Sequence, residues 1–302
     1  MLRSILLKLS ESKKLARWTM KNGLSRRVAQ RFVAGESLEQ AIAAAKTLNA
    51  DGFSASLDLL GENVMDMDGA KRAADVYISM FDRIATEKLN ANISMKLTQL
   101  GLDLDPAMCE SLLERIVRSA ADHGNFLRID MEGSPYTQRT IDLCKRVRAR
   151  TNAVGTVIQS YLFRSEEDVR GLIAVGCRIR LVKGAYKELP EIAFPAKSDV
   201  DANFVKLMKI MLVSDIYHAI ATHDPRMIDA TKQFVVEKGI AKDRFEFQML
   251  YGIRTDLQKK LLREGYRLRV YIPFGTDWFP YFMRRLAERP ANLTFFLRNI
   301  FR

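Results

Sequence analysis

Eight short apolar runs, each followed by a stretch with helical periodicity, constrain this chain more than any other feature. The runs fall at 53–57, 92–96, 126–131, 155–159, 178–182, 216–222, 244–249 and 267–272. Helical patterns lie near 69–88, 106–123, 137–150, 165–175, 200–213, 225–238, 254–264 and 278–288. Strands that are apolar throughout are covered on both faces, and strict strand–helix alternation calls for a parallel sheet. Eight such units predict an α/β fold of the (β/α)8 TIM-barrel type, and 302 residues suit one such domain. A doubly wound sheet is the competitor. It would normally carry a glycine-rich phosphate loop after its first strand, and neither G-x-G-x-x-G nor G-x-x-x-x-G-K-[ST] occurs.

The chain starts differently. Residues 1–34 hold nine Lys/Arg and one acid, Glu11, which supplies +8 of the formal net charge of +12. This segment reads as two basic helices. Ser37-x-x-Gln40 is a capping box opening a third, closed near Asp51-Gly52. The expected division is a helical arm over 1–50 and a barrel with its C-terminal helix over 51–302. A basic amphipathic arm suits an anionic lipid surface; a solvated arm, an oligomer contact or, less well, a nucleic-acid contact are the alternatives. The apolar run Ile5-Leu6-Leu7 is broken by Lys8, too soon for a signal peptide, and no stretch has transmembrane length. Three scattered cysteines (Cys109, Cys144, Cys177) without C-x-x-C fit a reducing, cytoplasmic setting. Three histidines without ligand spacing give no reason to expect a metal.

In a barrel of this type the chemistry sits at the C-terminal ends of the strands. Those positions hold Asp58, Lys96, Asp130, Gln159, Arg180, Lys183, Thr222, His223, Gln248 and Tyr271. A single such residue reads as a rim charge. A polar group at nearly every strand end predicts a ligand-filled mouth, because an inward polar group needs a partner. Past the eighth strand, Tyr281, Arg284, Arg285 and Glu288 recur at helical spacing. Paired arginines beside a tyrosine can grip a small carboxylate, though the same pattern also serves a solvated helix face. No triad order, carboxylate pair or metal cluster points to hydrolysis. From residue types alone the expectation is a barrel enzyme with an anionic cofactor and a small acid as substrate.

Eight segments in order then carry a family resemblance: LDLLGENV at 57–64, SMKLTQLGL at 94–102, RIDMEG at 128–133, VIQSYLFRS at 157–165, RIRLVKGAYKE at 178–188, ATHD at 221–224, FEFQMLYGI at 245–253, and VYIPFG with YFMRRLAER over 270–289. The chain resembles the bacterial monofunctional proline dehydrogenases and is similar to the proline dehydrogenase domain of the bifunctional proline-utilisation proteins. The resemblance implies FAD bound without a Rossmann fold and oxidation of L-proline to Δ1-pyrroline-5-carboxylate. A hydride passes from proline Cδ to FAD N5, and electrons go on to a membrane quinone. It implies a functional link to a pyrroline-5-carboxylate dehydrogenase and a cytoplasmic protein, peripheral on the inner face of the membrane. No nucleic-acid partner is expected.

Residue by residue, the resemblance assigns the substrate carboxylate to Arg284 and Arg285 with Lys96 beside it. Tyr271, Tyr281, Leu250 and Ala185 go to the ring. Glu62 is the acid that gates the site by pairing with the first arginine. Asp130 sits near both flavin and Lys96, and Arg180 near N5. Gln159, Val182, Gly184, Lys197, Thr222, His223, Gln248 and Glu288 are further FAD contacts. Lys96, Arg180 and Asp130 are the expected catalytic residues. The TDWFP turn at 276–280 is shorter than in the bifunctional proteins, and with Trp278 and Pro280 it bears on the lid over the substrate. Two other readings compete: a flavin-free barrel acting on a phosphorylated metabolite, and a basic nucleic-acid- or membrane-binding scaffold.

Overall fold

A computed structural model describes residues 31–61 and 64–288 of the chain. Its centre is a closed barrel of eight parallel strands, each bonded to its neighbours in sequence and the last to the first. The strands are β1 (Ser54–Leu59), β2 (Ala91–Met95), β3 (Leu127–Ile129), β4 (Val154–Gln159), β5 (Arg178–Val182), β6 (His218–Ala221), β7 (Phe245–Leu250) and β8 (Leu268–Phe274). Around them lie α2 (Met67–Thr86), α3 (Pro106–Asp122), α4 (Ser134–Arg148), α5 (Ser165–Ile173), α6 (Lys197–Leu212), α7 (Pro225–Glu237), α8 (Thr255–Arg263) and α9 (Trp278–Glu288). Ahead of the barrel stands α1 (Leu38–Ala50). All eight expected strands form. β3 and β6 are shorter than the sequence suggests, by residues at both ends, although the Asp130 and Thr222 amides still donate to the Met95 and Gln248 carbonyls.

Local sequence starts the helices as expected. Ser37 Oγ accepts the Gln40 amide and Gln40 Oε1 accepts the Ser37 amide at the head of α1. Asp224 caps α7 through the Arg226 amide, with proline in the first turn. The acids Glu166, Glu167 and Asp168 lie at the positive end of α5. Ser165 itself does not cap there: its hydroxyl donates to the Leu162 carbonyl at 2.7 Å.

The strands carry two different faces. Outward positions, such as Leu57, Ile93, Ile129, Ile158, Leu181, Ile220, Phe247 and Val270, pack with the helices into one core. Inward positions are polar far down the barrel: Ser56, Ser94, Arg128, Arg180, Glu246, Gln248 and Arg269 are all buried or nearly so. Gly155 makes room for one of them. A Cβ there would lie 2.3 Å from the Arg178 carbonyl oxygen and 2.9 Å from Arg128 Nη1. Beneath, His218 Nδ1 accepts the Ile179 amide at 3.0 Å, joining β6 to β5, while Nε2 meets Ser214 Oγ at 3.0 Å. Cys144 and Cys177 approach to 3.6 Å between their sulfurs, as free thiols in the core.

α1 is part of this body. Ala41 and Ala45 are fully buried in the same core as Ala55, Leu57 and Val270. Preceding it, the Ala34 amide donates to the Pro273 carbonyl and the Gly275 amide to the Gly35 carbonyl, each at 2.9 Å. Phe32 and Val33 pack with Leu60, Trp278, Phe279 and Phe282. The β8–α9 turn is therefore clamped from below. Trp278 is buried in that cluster and donates to Glu36 Oε1 at 3.2 Å, which ties the turn to the segment ahead of α1. The other expectations for residues 1–30 fall outside the described residues. Among the described residues, no helix is long and apolar enough to cross a membrane.

Candidate active site

The inner polar groups end in a cavity at the C-terminal mouth of the barrel, with a volume of about 510 Å³. That is within the usual range of ligand pockets, about 300–1,000 Å³. On one side it is lined by Asp58, Lys96, Asp130, Tyr271, Tyr281 and Leu250, and on the other by Gln159, Val182, Gly184, Ala185, Lys197, Thr222 and His223, with Arg180 and Gln248 also in the lining. The sequence expectations for Lys96, Asp130, Gln159, Arg180, Val182, Gly184, Ala185, Lys197, Thr222, His223, Gln248, Leu250, Tyr271 and Tyr281 thus converge on one space. Arg284, Arg285 and Glu288 lie one to two turns beyond Tyr281 on α9, but the described side chains end at Met283. Glu62 lies outside the described residues.

Arg180 organises this space. Its Nη1 donates to Asp130 Oδ1 at 2.6 Å and its Nη2 to Ser94 Oγ at 2.9 Å, while Nε donates to Gln248 Oε1. The three bonds reach β2, β7 and the residue past β3, so the planar guanidinium is held at every edge. It lies over the Tyr271 ring, 5.2 Å from the centroid. Tyr271 donates its hydroxyl proton to the other Asp130 oxygen at 2.6 Å. Burial, and then Asp130, pushes the tyrosine far up, keeping it a neutral donor.

A support that sequence reasoning did not name lies below. Gln248 Nε2 donates to Glu246 Oε1, and Arg269 Nε donates to the same oxygen at 2.8 Å. Arg269 is itself anchored on the Ala55 carbonyl at 2.7 Å. Glu246 thereby fixes which end of the Gln248 amide faces Arg180. Burial works to raise the Glu246 carboxyl, but Arg269 outweighs it and holds the group below the usual range. The signal was present in sequence: β7 reads Phe-Glu-Phe-Gln-Met and β8 reads Leu-Arg-Val-Tyr-Ile, with a polar residue at every second position.

Lys96 follows β2 directly, and its ammonium lies 3.6 Å from Asp58 Oδ1. Gln99, in the short turn Leu97–Leu100, sets the lysine's backbone. Its Oε1 accepts the Lys96 amide at 3.1 Å and the Tyr77 hydroxyl at 2.6 Å, and its Nε2 donates to the Leu59 carbonyl at 2.9 Å. Lys183 also lines the cavity, as its strand-end position predicts, but its ammonium is already paired. Asp201 and Asp224 both accept its ammonium, the second at 2.7 Å, and Arg226 bridges the same two carboxylates. Burial opposes ionisation of Asp224, yet Arg226 and Lys183 hold its carboxyl well below the ordinary range. This square of charges ties the loop after β5 to α6 and α7. Gly184 next to it has φ +123, and a Cβ there would lie 2.5 Å from the Tyr161 ring. His223 Nε2 accepts the Leu250 amide at 3.1 Å, which makes the neutral ring an Nδ1–H donor.

The donor set fits a large, partly aromatic, anionic cofactor: Arg180, Lys197, His223, Gln159 and Thr222 stand among the apolar walls Met131, Val157, Val182, Ala221 and Met249. Comparison with known proteins agrees with that chemistry. The proline dehydrogenase family matches residues 41–298. Proline dehydrogenase 1 of Bacillus subtilis (strain 168) is 44% identical over 300 residues, 99% of each chain. The proline dehydrogenase of Deinococcus radiodurans is 43% identical over 278 residues, 90% of each. Among solved structures, proline utilization A (PutA) from Bdellovibrio bacteriovorus, inactivated by N-propargylglycine, superposes with a TM-score of 0.83 at 26% identity, over 87% of this chain and 33% of that one. A match that takes in every strand of the barrel, and relatives aligned over nearly their full length, make the chain an enzyme of the proline dehydrogenase family.

Proposed function

We propose that this enzyme oxidises L-proline to Δ1-pyrroline-5-carboxylate with FAD as cofactor and a membrane quinone as electron acceptor. The observation that carries the reading is a single cavity at the barrel mouth that gathers the Arg180–Asp130 pair, Lys96, Tyr271 and Tyr281 with a longer set of donors and apolar walls. Lys96 and the two tyrosines suit a small acid, and Gln159, Lys197, Thr222 and His223 with their apolar neighbours suit the larger cofactor. FAD, when bound, would supply the two-electron acceptor, taking a hydride from proline Cδ at N5. Gln159, Arg180, Val182, Gly184, Lys197, Thr222, His223, Gln248 and Glu288 would hold it.

The chain's own share is binding and orientation. Lys96, Arg284 and Arg285 receive the proline carboxylate, with Glu62 closing over Arg284. Tyr271, Tyr281, Leu250 and Ala185 wall the ring and exclude water. A ring gripped at its carboxylate and held between flat walls keeps one carbon in place, a proximity effect. Asp130 is engaged by Arg180 and Tyr271 on both oxygens, so it serves to fix those two groups and not as a base. The proline nitrogen must then arrive without its extra proton, since the neighbouring carbon releases hydride only with the help of the nitrogen lone pair.

The product suits a pyrroline-5-carboxylate dehydrogenase as the next enzyme. The basic segment 1–34 suits the anionic inner face of a membrane, where a quinone is found. An absorbance spectrum of the purified protein, before and after anaerobic addition of L-proline, tests the reading. A yellow protein that bleaches is expected. A folded protein that takes up no FAD, or whose flavin ignores proline, overturns it.

A further inference from the structure

Asp58 lies near the end of β1, is 1% exposed, and lines the cavity. Its Oδ1 has no hydrogen bond among the described residues, and its ion partner is Lys96 at 3.6 Å. The other titratable groups that bear on it are Asp130 beyond β3, Arg180 on β5, Tyr271 on β8 and Tyr77 on α2. Arg180 and Tyr77 are engaged elsewhere, Arg180 on Asp130 at 2.6 Å and the Tyr77 proton on Gln99 at 2.6 Å, while the Tyr271 hydroxyl, 2.6 Å from Asp130, also lowers the Asp58 carboxyl by hydrogen bonding. Arg180 thus lies against Asp130, and Lys96 lies beside Asp58. Burial pushes the Asp58 carboxyl up, and Lys96 pulls it back.

A buried ion pair is a poor source of stability, because desolvation offsets most of the attraction. Asp58 caps no helix and, among the described residues, has no hydrogen bond to the backbone, so the barrel gains little from its charge. What that charge does affect is the neighbouring lysine. A buried ammonium beside a carboxylate keeps its proton; the same ammonium without one sheds it at lower pH.

We propose that Asp58 is the counter-ion that keeps Lys96 an ammonium in the cavity wall, so that Lys96 holds the substrate carboxylate across the working pH range. Asp58 is then a positioning residue, acting through Lys96. The inference rests on the substrate reading above and deepens it.

The test is direct binding to the FAD-loaded enzyme. The probe is tetrahydrofuran-2-carboxylate, which has the proline outline with oxygen in place of the ring nitrogen and no amine to titrate. Calorimetric titrations run from about pH 6.5 to about pH 9.5, on wild type, Asp58→Asn and the smaller, equally uncharged Asp58→Ser. In wild type the Kd should change less than about twofold over that window. In both variants it should weaken about tenfold or more toward the alkaline end, with no weakening at the acid end, because removing a carboxylate also removes a repulsion. In the Lys96→Arg/Asp58→Asn double variant the profile should be flat again, since arginine stays charged. A merely structural defect would weaken binding equally at every pH. Parallel profiles for wild type and the single variants overturn the Asp58 assignment alone. A flavin-loaded wild type that binds no probe at any pH overturns the substrate reading and this inference with it.

Discussion

Arg180 and Lys183 sit three residues apart and differ in everything that matters to function. Arg180 is fixed on three sides, with its face over Tyr271. Arg180→Lys keeps the charge but cannot reproduce the fork, so kcat/KM for proline should fall about 10²–10³-fold, the scale of losing one oriented donor, while flavin remains bound. Steady-state kinetics alongside the flavin-to-protein absorbance ratio check this. Arg284→Met and Arg285→Met should each raise the proline KM, losing a charge-assisted contact of about 1.5–3 kcal/mol, and leave the flavin in place. Unchanged KM in both would remove the carboxylate grip from α9. The mouth positions of Lys96, Asp130 and Gln159 were legible as polar residues where strands end, whereas Arg180, Gln248 and Tyr271 lie inside β5, β7 and β8 and were legible as polar residues between apolar neighbours. The commitment of Lys183 to Asp201 and Asp224 was not, because those carboxylates come from separate loops and helices 18 and 41 residues away. Sequence spacing carries no trace of such a meeting.

The strands were readable as elements because their outward faces are apolar, and the helices because capping residues mark their starts. The inward polar column was harder. Arg128, Glu246 and Arg269 alternate with apolar neighbours, but a search restricted to strand ends passes over the barrel's interior, which in such folds is usually filled by branched aliphatic side chains. His218 is a buried polar residue on the outward face of β6, with its Nδ1 standing in for a strand partner to the Ile179 amide. Burial, reinforced by Arg128, lowers its pKa to about 3 from an ordinary 6.5. The unfolded chain takes up a proton near 6.5 and the folded one resists it. The His218 contribution is therefore complete above pH 6.5 and is lost as pH falls toward 3, up to about 5 kcal/mol in all. Urea unfolding at several pH values between these limits should show stability rising with pH. In His218→Gln that slope should be shallower by the histidine's share; equal slopes would remove His218 as its source.

At the scale of the whole molecule, the sequence marks a boundary near residue 50, where basic helices give way to strands. The packing argues for placing it ahead of α1, since Ala41 and Ala45 are buried in the main core and residues 32–35 hold the β8–α9 turn. A chain beginning at residue 31 should fold and bind flavin, whereas one beginning at 51 should lose cooperative thermal unfolding and flavin together; calorimetry on the two decides. The starting charge of 1–34 was legible, but what it meets was not, because charge names a class of surface and no single partner. The closed ring also sets an order of events. β1 pairs with β2 about 40 residues on, but its other edge waits for β8, as in the pair Ser54 and Arg269. At roughly 5–20 residues per second, the ribosome needs about 10–40 s to cover that interval. Throughout it, β1 presents an open edge and an apolar outer face to whatever is near. The nascent chain is at its most vulnerable while seven-eighths of the barrel already exists, and the strand that seals it is the same one that carries Tyr271 and leads into α9. The ring is thus sealed just before α9 brings the last wall of the mouth, so a chain stopped ahead of β8 holds no working site.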